Sequence, residues 1–192
     1  MLQDKAEWEN ERTVKENYQE ADLRHKVFRN CTFEGCDFTK AQFLGSKCID
    51  CKWIKCNLSM TKWDGCRLQG NQFEECKIVG GDFSKCDPMF LSLSFKHCLI
   101  NMSNFSDLKL KSTSFVGSVI RETHFNHTYL SGADFSDCDL SSTLFHQSDL
   151  TQSNFLTAFN FSINPLTNKL KGARFSKETA LNLLSYLGIV LE

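Results

Sequence analysis

The chain has 192 residues, with 22 Lys plus Arg against 23 Asp plus Glu, a formal charge of −1, 17 Phe and 10 Cys. The near-neutral balance excludes a broadly basic nucleic-acid binder, and 41% hydrophobic residues exclude a disordered chain. No run of about 18 apolar residues occurs, which excludes a membrane-spanning helix.

Residues 1–22 carry seven acids and three bases and lack an apolar stretch, so they do not read as a secretory leader. Ten cysteines without such a leader are expected to be free thiols in a reducing, cytoplasmic setting. Within residues 1–17, Ala6 and Trp8 keep the five-residue register that follows, while the Glu-rich composition also suits a helix. The segment is expected to be an N-terminal cap, because an open solenoid end invites edge pairing.

From Leu23 a large apolar residue recurs every five positions through Phe28, Phe33, Phe38, Phe43, Cys48, Trp53, Leu58 and onward to Phe83. The series slips by two residues at 86–88 and is expected to resume at Phe90, running through Phe95, Ile100 and Phe105 to Phe155. Of 27 such centres, 26 are Phe, Leu, Ile or Trp, and 14 of the 17 Phe fall on them. Two positions before each centre lies a column of small residues that holds eight of the ten cysteines, with Pro88 expected in it after the slip. A period of five fits neither a helix nor a flat strand. It fits a chain that turns a corner every five residues, so that four sides close a coil of twenty. Position i then lies under i+20, making Phe33, Trp53 and Phe73 one ladder and Phe43, Trp63 and Phe83 another. The small column keeps a narrow interior from overfilling and can bond the corner backbone. Cys48, between Phe28 and Leu68, is an undersized centre where a void or a water is expected.

Ala21-Asp22-Leu23, Cys36-Asp37-Phe38, Ala133-Asp134-Phe135, Cys138-Asp139-Leu140 and Ser148-Asp149-Leu150 resemble the consensus of the pentapeptide-repeat family over residues 18–157. The resemblance implies an all-β fold, a right-handed quadrilateral β-helix of about seven coils.

After Phe155 the repeat decays, and residues 158–192 are expected to form a turn at Asn164-Pro165, a short α-helix and a tail. Ser176 is a suitable N-cap, Glu178 favours the helix dipole, and Gly188 ends the helix. Ala180, Leu181, Leu184 and Leu187 make an apolar stripe, and Ile189, Val190 and Leu191 follow as a short apolar strand. The stripe serves either as a cap on the last coil or as a dimer contact. Leu170-Lys171-Gly172-Ala173-Arg174-Phe175 and the Leu-Gly-Ile-Val close resemble the carboxyl end of quinolone-resistance (Qnr-type) members of the family. Ile163-Asn164-Pro165 is similar to the microcin-immunity members. That resemblance implies a homodimer through Leu181, Leu184, Leu187 and Ile189, and a rod that binds DNA gyrase or topoisomerase IV as a DNA mimic, with no direct nucleic-acid binding. The long loops of the quinolone-protecting members have no counterpart beyond the slip near Pro88.

Chemical alternatives find little support. Cys48 and Cys51 have metal or redox spacing but share the inward register. His124 and His127, with His146 one coil away, fall on outward positions. No Ser–His–Asp set, phosphate loop or paired carboxylate can be assembled, so neither an enzyme, a metal nor a cofactor is expected. Charge divides by segment into −4 (1–22), +4 (23–85), −3 (86–157) and +2 (158–192). Glu122, Asp134, Asp137, Asp139 and Asp149 form the candidate partner-binding acidic surface, in a stretch from Arg121 to Lys169 without an intervening Lys or Arg. The expected function is thus a non-enzymatic cytoplasmic rod that modulates a type II topoisomerase or protects it from a toxin or quinolone. The alternative is a scaffold or immunity factor with another target.

Overall fold

The computed structural model describes residues 5–188. Its backbone winds into a four-sided solenoid of about eight turns with one short C-terminal helix. The first face stacks strands centred on Trp8, Phe28, Cys48 and Leu68, all parallel and in register at i+20. The second carries Thr13, Phe33, Trp53, Phe73 and Phe95 and runs on to Phe155 and Phe175. The third stacks Ile78, Ile100 and Ile120, and the fourth Phe125 on Phe145.

Large side chains at the centres are buried, and the two aromatic ladders foreseen from the spacing are present. On the second face, rings stack without interruption from Phe33 to Phe175, with Phe115 and Phe135 at 5.0 Å and 1° and Phe155 and Phe175 at 5.1 Å. Phe43, Trp63, Phe83, Phe105, Phe125 and Phe145 form the second stack on the opposite face. The two stacks meet edge to face across the interior, as Phe105 does with Phe115 at 6.0 Å and 89°. Offset stacking along the axis and T-contacts across it are the two favoured ring geometries, so one lattice satisfies both.

Cys48 sits in the coil Cys48–Trp53–Leu58–Trp63, between a coil of four Phe and one of Leu68, Phe73, Ile78 and Phe83. The two indoles of that coil contact each other at 6.0 Å and compensate in volume for the small thiol.

The small column bonds as its chemistry allows. Thr61, Thr128 and Ser153 donate hydroxyls to the carbonyls of Phe38, Phe105 and Leu130 one coil below, at 3.0, 3.0 and 2.8 Å. Cys76 and Cys138 do the same to Trp53 and Phe115 at 3.1 and 3.0 Å. At many corners, the N–H three residues past the centre bonds the centre's carbonyl, as Ala41 does with Phe38 at 2.9 Å. The residue just before the donor is left-handed: Lys40 and Met60 have φ of 58° and 55°. For a non-glycine this conformation costs roughly 1–2 kcal/mol, offset here by the inter-coil ladder.

Four expectations change. Residues 7–17 are not a separate cap: Trp8 pairs with Phe28, Thr13 with Phe33, and Asn17 with Asp37, so they form the first coil. Their Glu side chains fall on outward positions, where charge is no obstacle. At the other end, Asp149 pairs with Lys169 and Phe155 with Phe175, extending the solenoid past residue 157. The count of turns rises from seven to about eight for these two reasons. The repeat only seemed to decay because one side is shortened, with Phe145 opposite Ile163, and the next lengthened around Asn164. Finally, Phe90 is not an interior rung. The two extra residues fall between Asp87, which pairs with Arg67 at +20, and Leu93, which pairs with Asn71 at +22. That side bulges outward, leaving Pro88 exposed, Phe90 60% exposed and Leu91 turned to the core in its place. No described helix is long and apolar enough to cross a membrane.

Candidate interaction surfaces

The consensus Asp or Asn before each centre folds its side chain onto the turn that follows. Asp134 accepts from the Ser136 N–H at 3.0 Å, from its hydroxyl at 2.6 Å and from the Asn154 amide at 3.0 Å. Asp149 accepts from the Thr151 N–H at 3.0 Å, and the Thr151 side chain, ahead of that N–H, leads in holding its carboxyl below the usual range. Asp139 is 4% exposed, accepts from Ser141 and Asn160, and faces Arg121 at 2.5 Å. Burial works to raise its pKa, but the bonds from Ser141, Arg121 and Asn160 outweigh burial and hold it at about 2. These three carboxylates therefore close their own turns. Glu122 and Asp137 instead stand exposed at corners with left-handed backbone, φ 48° and 59°. The five acids do not form one column: Asp149 lies over Tyr129 on the first face, Asp134 over Ser114 on the second, Asp139 over Val119 on the third.

At the C-terminal end, the helix spans Lys177–Leu184 and is capped by Ser176, whose hydroxyl accepts from the Thr179 N–H at 3.1 Å. A 3-10 turn, Ser185–Leu187, leads to Gly188 in the left-handed conformation at φ 67°. Leu183 packs against the core, a contact that the apolar stripe in the sequence did not reveal. Leu184 is partly buried, while Leu181 and Leu187 are 51% and 50% exposed. Leu166, 70% exposed, is a further uncovered apolar side chain at this end of the chain. Ile189 and the tail beyond it lie outside the described residues.

His124, His127 and His146 are exposed on the fourth face. His127 contacts Gln147 at 2.6 Å and Asp107 at 3.6 Å, and with His146 it lines an open groove of about 750 Å³ bordered by Leu144, Asn164 and Tyr186. The Tyr186 hydroxyl bonds Ser162, tying the end of the helix to the solenoid. All ten cysteines are free and buried. Burial pushes the Cys48 and Cys86 thiols well up and Cys138 to about 12, which keeps them protonated and unreactive. Among the described residues, no three His, Cys, Asp or Glu side chains converge as a metal-binding group.

The five-residue period, its register at i+20 and its turn-closing Asp agree with the family models that match. A model of a pentapeptide repeat region matches residues 46–122 and 88–158, and a model of eight-copy pentapeptide repeats matches residues 19–47. The chain belongs to the pentapeptide-repeat family. Among solved structures it is similar to two trypsin-treated variants of QnrB1, a plasmid-mediated fluoroquinolone resistance protein. The first has 21% identity and a TM-score of 0.58, covering 97% of each chain. The second has 23% identity and a TM-score of 0.51, covering 97% of this chain and 90% of the other. At that identity the likeness is one of fold. No curated protein sequence matches. For a pentapeptide-repeat protein with a filled interior, the surfaces available for function are the four faces, the corners and the two ends.

Proposed function

We propose that this pentapeptide-repeat protein is a non-enzymatic, cytoplasmic rod that dimerises through its C-terminal helix and binds a type II topoisomerase in place of DNA. The observation that carries the reading is the helix: once Leu183 has packed on the solenoid, Leu181 and Leu187 are still half exposed. An isologous contact would remove that apolar surface from water. The fold likeness to a fluoroquinolone resistance protein directs the choice of partner. About eight turns at roughly 4.8 Å give a rod of ~40 Å, and two joined at their C-termini would match on the order of 23 base pairs of duplex. Glu122 and Asp137 are the acids available for such mimicry, since Asp134, Asp139 and Asp149 serve their turns.

The dispersal of the acids over three faces favours a second reading, a scaffold or immunity factor with another target. Gyrase supercoiling, with and without a quinolone, separates the two. The topoisomerase reading expects a change in rate or in drug-stabilised cleavage; no change at concentrations well above dimer assembly overturns it. Light scattering on Leu181→Asp should report a monomer with helical content retained, whereas a persistent dimer returns the helix to a capping role.

A further inference from the structure

The solenoid sorts charge by face in a way that the total of −1 conceals. On the second, third and fourth faces, cations meet carboxylates: Arg12 with Glu34, Lys96 with Glu74, Arg121 with Asp139, and Lys85 with Asp82. The first face also sets opposite charges in register at its ends, Glu9 with Arg29 and Asp149 with Lys169, but its middle differs. Lys47 and Arg67 are in-register partners on adjacent strands, so two cations stack at the inter-strand spacing of about 4.8 Å. Like charges directly opposite one another destabilise a sheet, and among the described residues neither has a carboxylate within ion-pair reach. Asp87, the next in register, turns its carboxylate to the Met89 N–H at 2.8 Å.

Arg67 is poised further. Its guanidinium lies 4.4 Å over the Phe90 ring, one amino group donates to Gln69 at 2.5 Å, and its Nε is buried without a hydrogen-bond partner. An unsatisfied charged donor is costly unless an acceptor arrives. The bulge that holds Phe90 out of the core is what offers its ring to solvent. In the next turn Lys109 and Lys111 flank the buried Leu110, and Tyr129, 53% exposed, sits in register with Lys109. Along roughly 20 Å of one face, Lys47 and Arg67 are thus followed by the Phe90 ring, then by Lys109 and Lys111, then by the Tyr129 ring, with Asp149 in register beyond it.

We propose that this face binds single-stranded nucleic acid, with phosphates on Lys47, Arg67, Lys109 and Lys111 and bases stacked on Phe90 and Tyr129. Cations that follow a backbone, with rings spaced to take bases, are the elements of sequence-tolerant single-strand binding. An acidic protein would use the cations and have no need of the two rings.

The test is fluorescence anisotropy of a labelled 15-nucleotide oligothymidylate with the full chain, with polyglutamate as a competing probe. Four phosphate contacts predict a loss of about 50-fold in affinity between 50 and 200 mM salt. Lys109→Glu/Lys111→Glu should weaken binding and flatten that salt slope. Phe90→Ala and Tyr129→Ala should each weaken it roughly 5- to 150-fold with the slope unchanged. No binding at 50 mM salt overturns the proposal. So does binding that ignores both aromatic variants or is displaced equally by polyglutamate, which would make the face a site for acidic proteins. Because these residues lie away from Leu181, Glu122 and Asp137, the variants should leave dimerisation and any gyrase effect intact, so the two readings fail separately.

Discussion

The coil Cys48–Trp53–Leu58–Trp63 makes a quantitative claim about interior volume. If the two indoles compensate for the small thiol, enlarging residue 48 should be penalised only while both remain. Cys48→Leu adds carbon to a site that is 0% exposed and should destabilise by roughly 1–3 kcal/mol through overpacking. Trp63→Phe removes part of an indole whose Nε1 is buried without a partner. The cavity it leaves is offset by deletion of that unpaired donor, itself a cost of about 1–3 kcal/mol, so the single change should be mild. Trp53 is the poorer choice, because its Nε1 donates to Asn71 at 3.0 Å and its loss would strand that amide. In the double variant the leucine can occupy space vacated by the indole, giving a favourable coupling of about 1 kcal/mol or more. Guanidinium unfolding followed by tryptophan fluorescence and circular dichroism, at fixed protein concentration, measures all four corners of the cycle. Additivity within about 0.5 kcal/mol would refute volume compensation as the reason for a cysteine at this centre.

Gly81→Ala should destabilise by roughly 1–3 kcal/mol although alanine suits the small column elsewhere. Its Cβ would lie 2.9 Å from Ile78 Cγ2 and 3.1 Å from Phe83 Cε2; a melting temperature equal to the parent's would refute this. Asp139, held at about 2, should contribute about 2 kcal/mol above pH 5. A depressed carboxylate loses its contribution as pH falls, here between about pH 4 and 2, so the stability gap between parent and Asp139→Asn should close over that window. A gap independent of pH would assign the effect to packing. An Ellman titration should find the ten thiols slow to react in the native state and all reactive in denaturant. Rapid labelling of Cys48 or Cys86 in the native state would contradict their burial.

Much of the fold was legible because a period of five admits one kind of interior. A large residue at every fifth position, with a small one two before it, dictates which side chains point inward, and inward partners at i+20 follow from four sides. Phe33 over Trp53 over Phe73 could be read in that way, and so could the inward register of Cys51. The turn-closing role of Asp134, Asp139 and Asp149 was less visible. An acid in a consensus slot and an acid offered to a partner look alike in one dimension, and only the positions of Ser136, Ser141, Asn160 and Thr151 separate them. Leu183 was missed because a helix this short presents more than one apolar residue to choose from, and the solenoid end selects among them.

The sequence by itself determined the repeat, the identity of nearly every buried side chain and the left-handed stop at Gly188 that follows the helix and its 3-10 turn, since these depend on local spacing and residue size. Only the tertiary structure decided that residues 7–17 are a coil, that Phe90 lies outside the core, and that a chain of net charge −1 carries unpaired cations on one face. Those outcomes depend on which residues twenty or more positions apart come to lie side by side. A two-residue insertion can be absorbed either by shifting the register or by bulging one side. The choice rests with the neighbouring coils, whose stacked strands at Asn71–Glu74 and Leu93–Lys96 stay in register and push the extra residues outward.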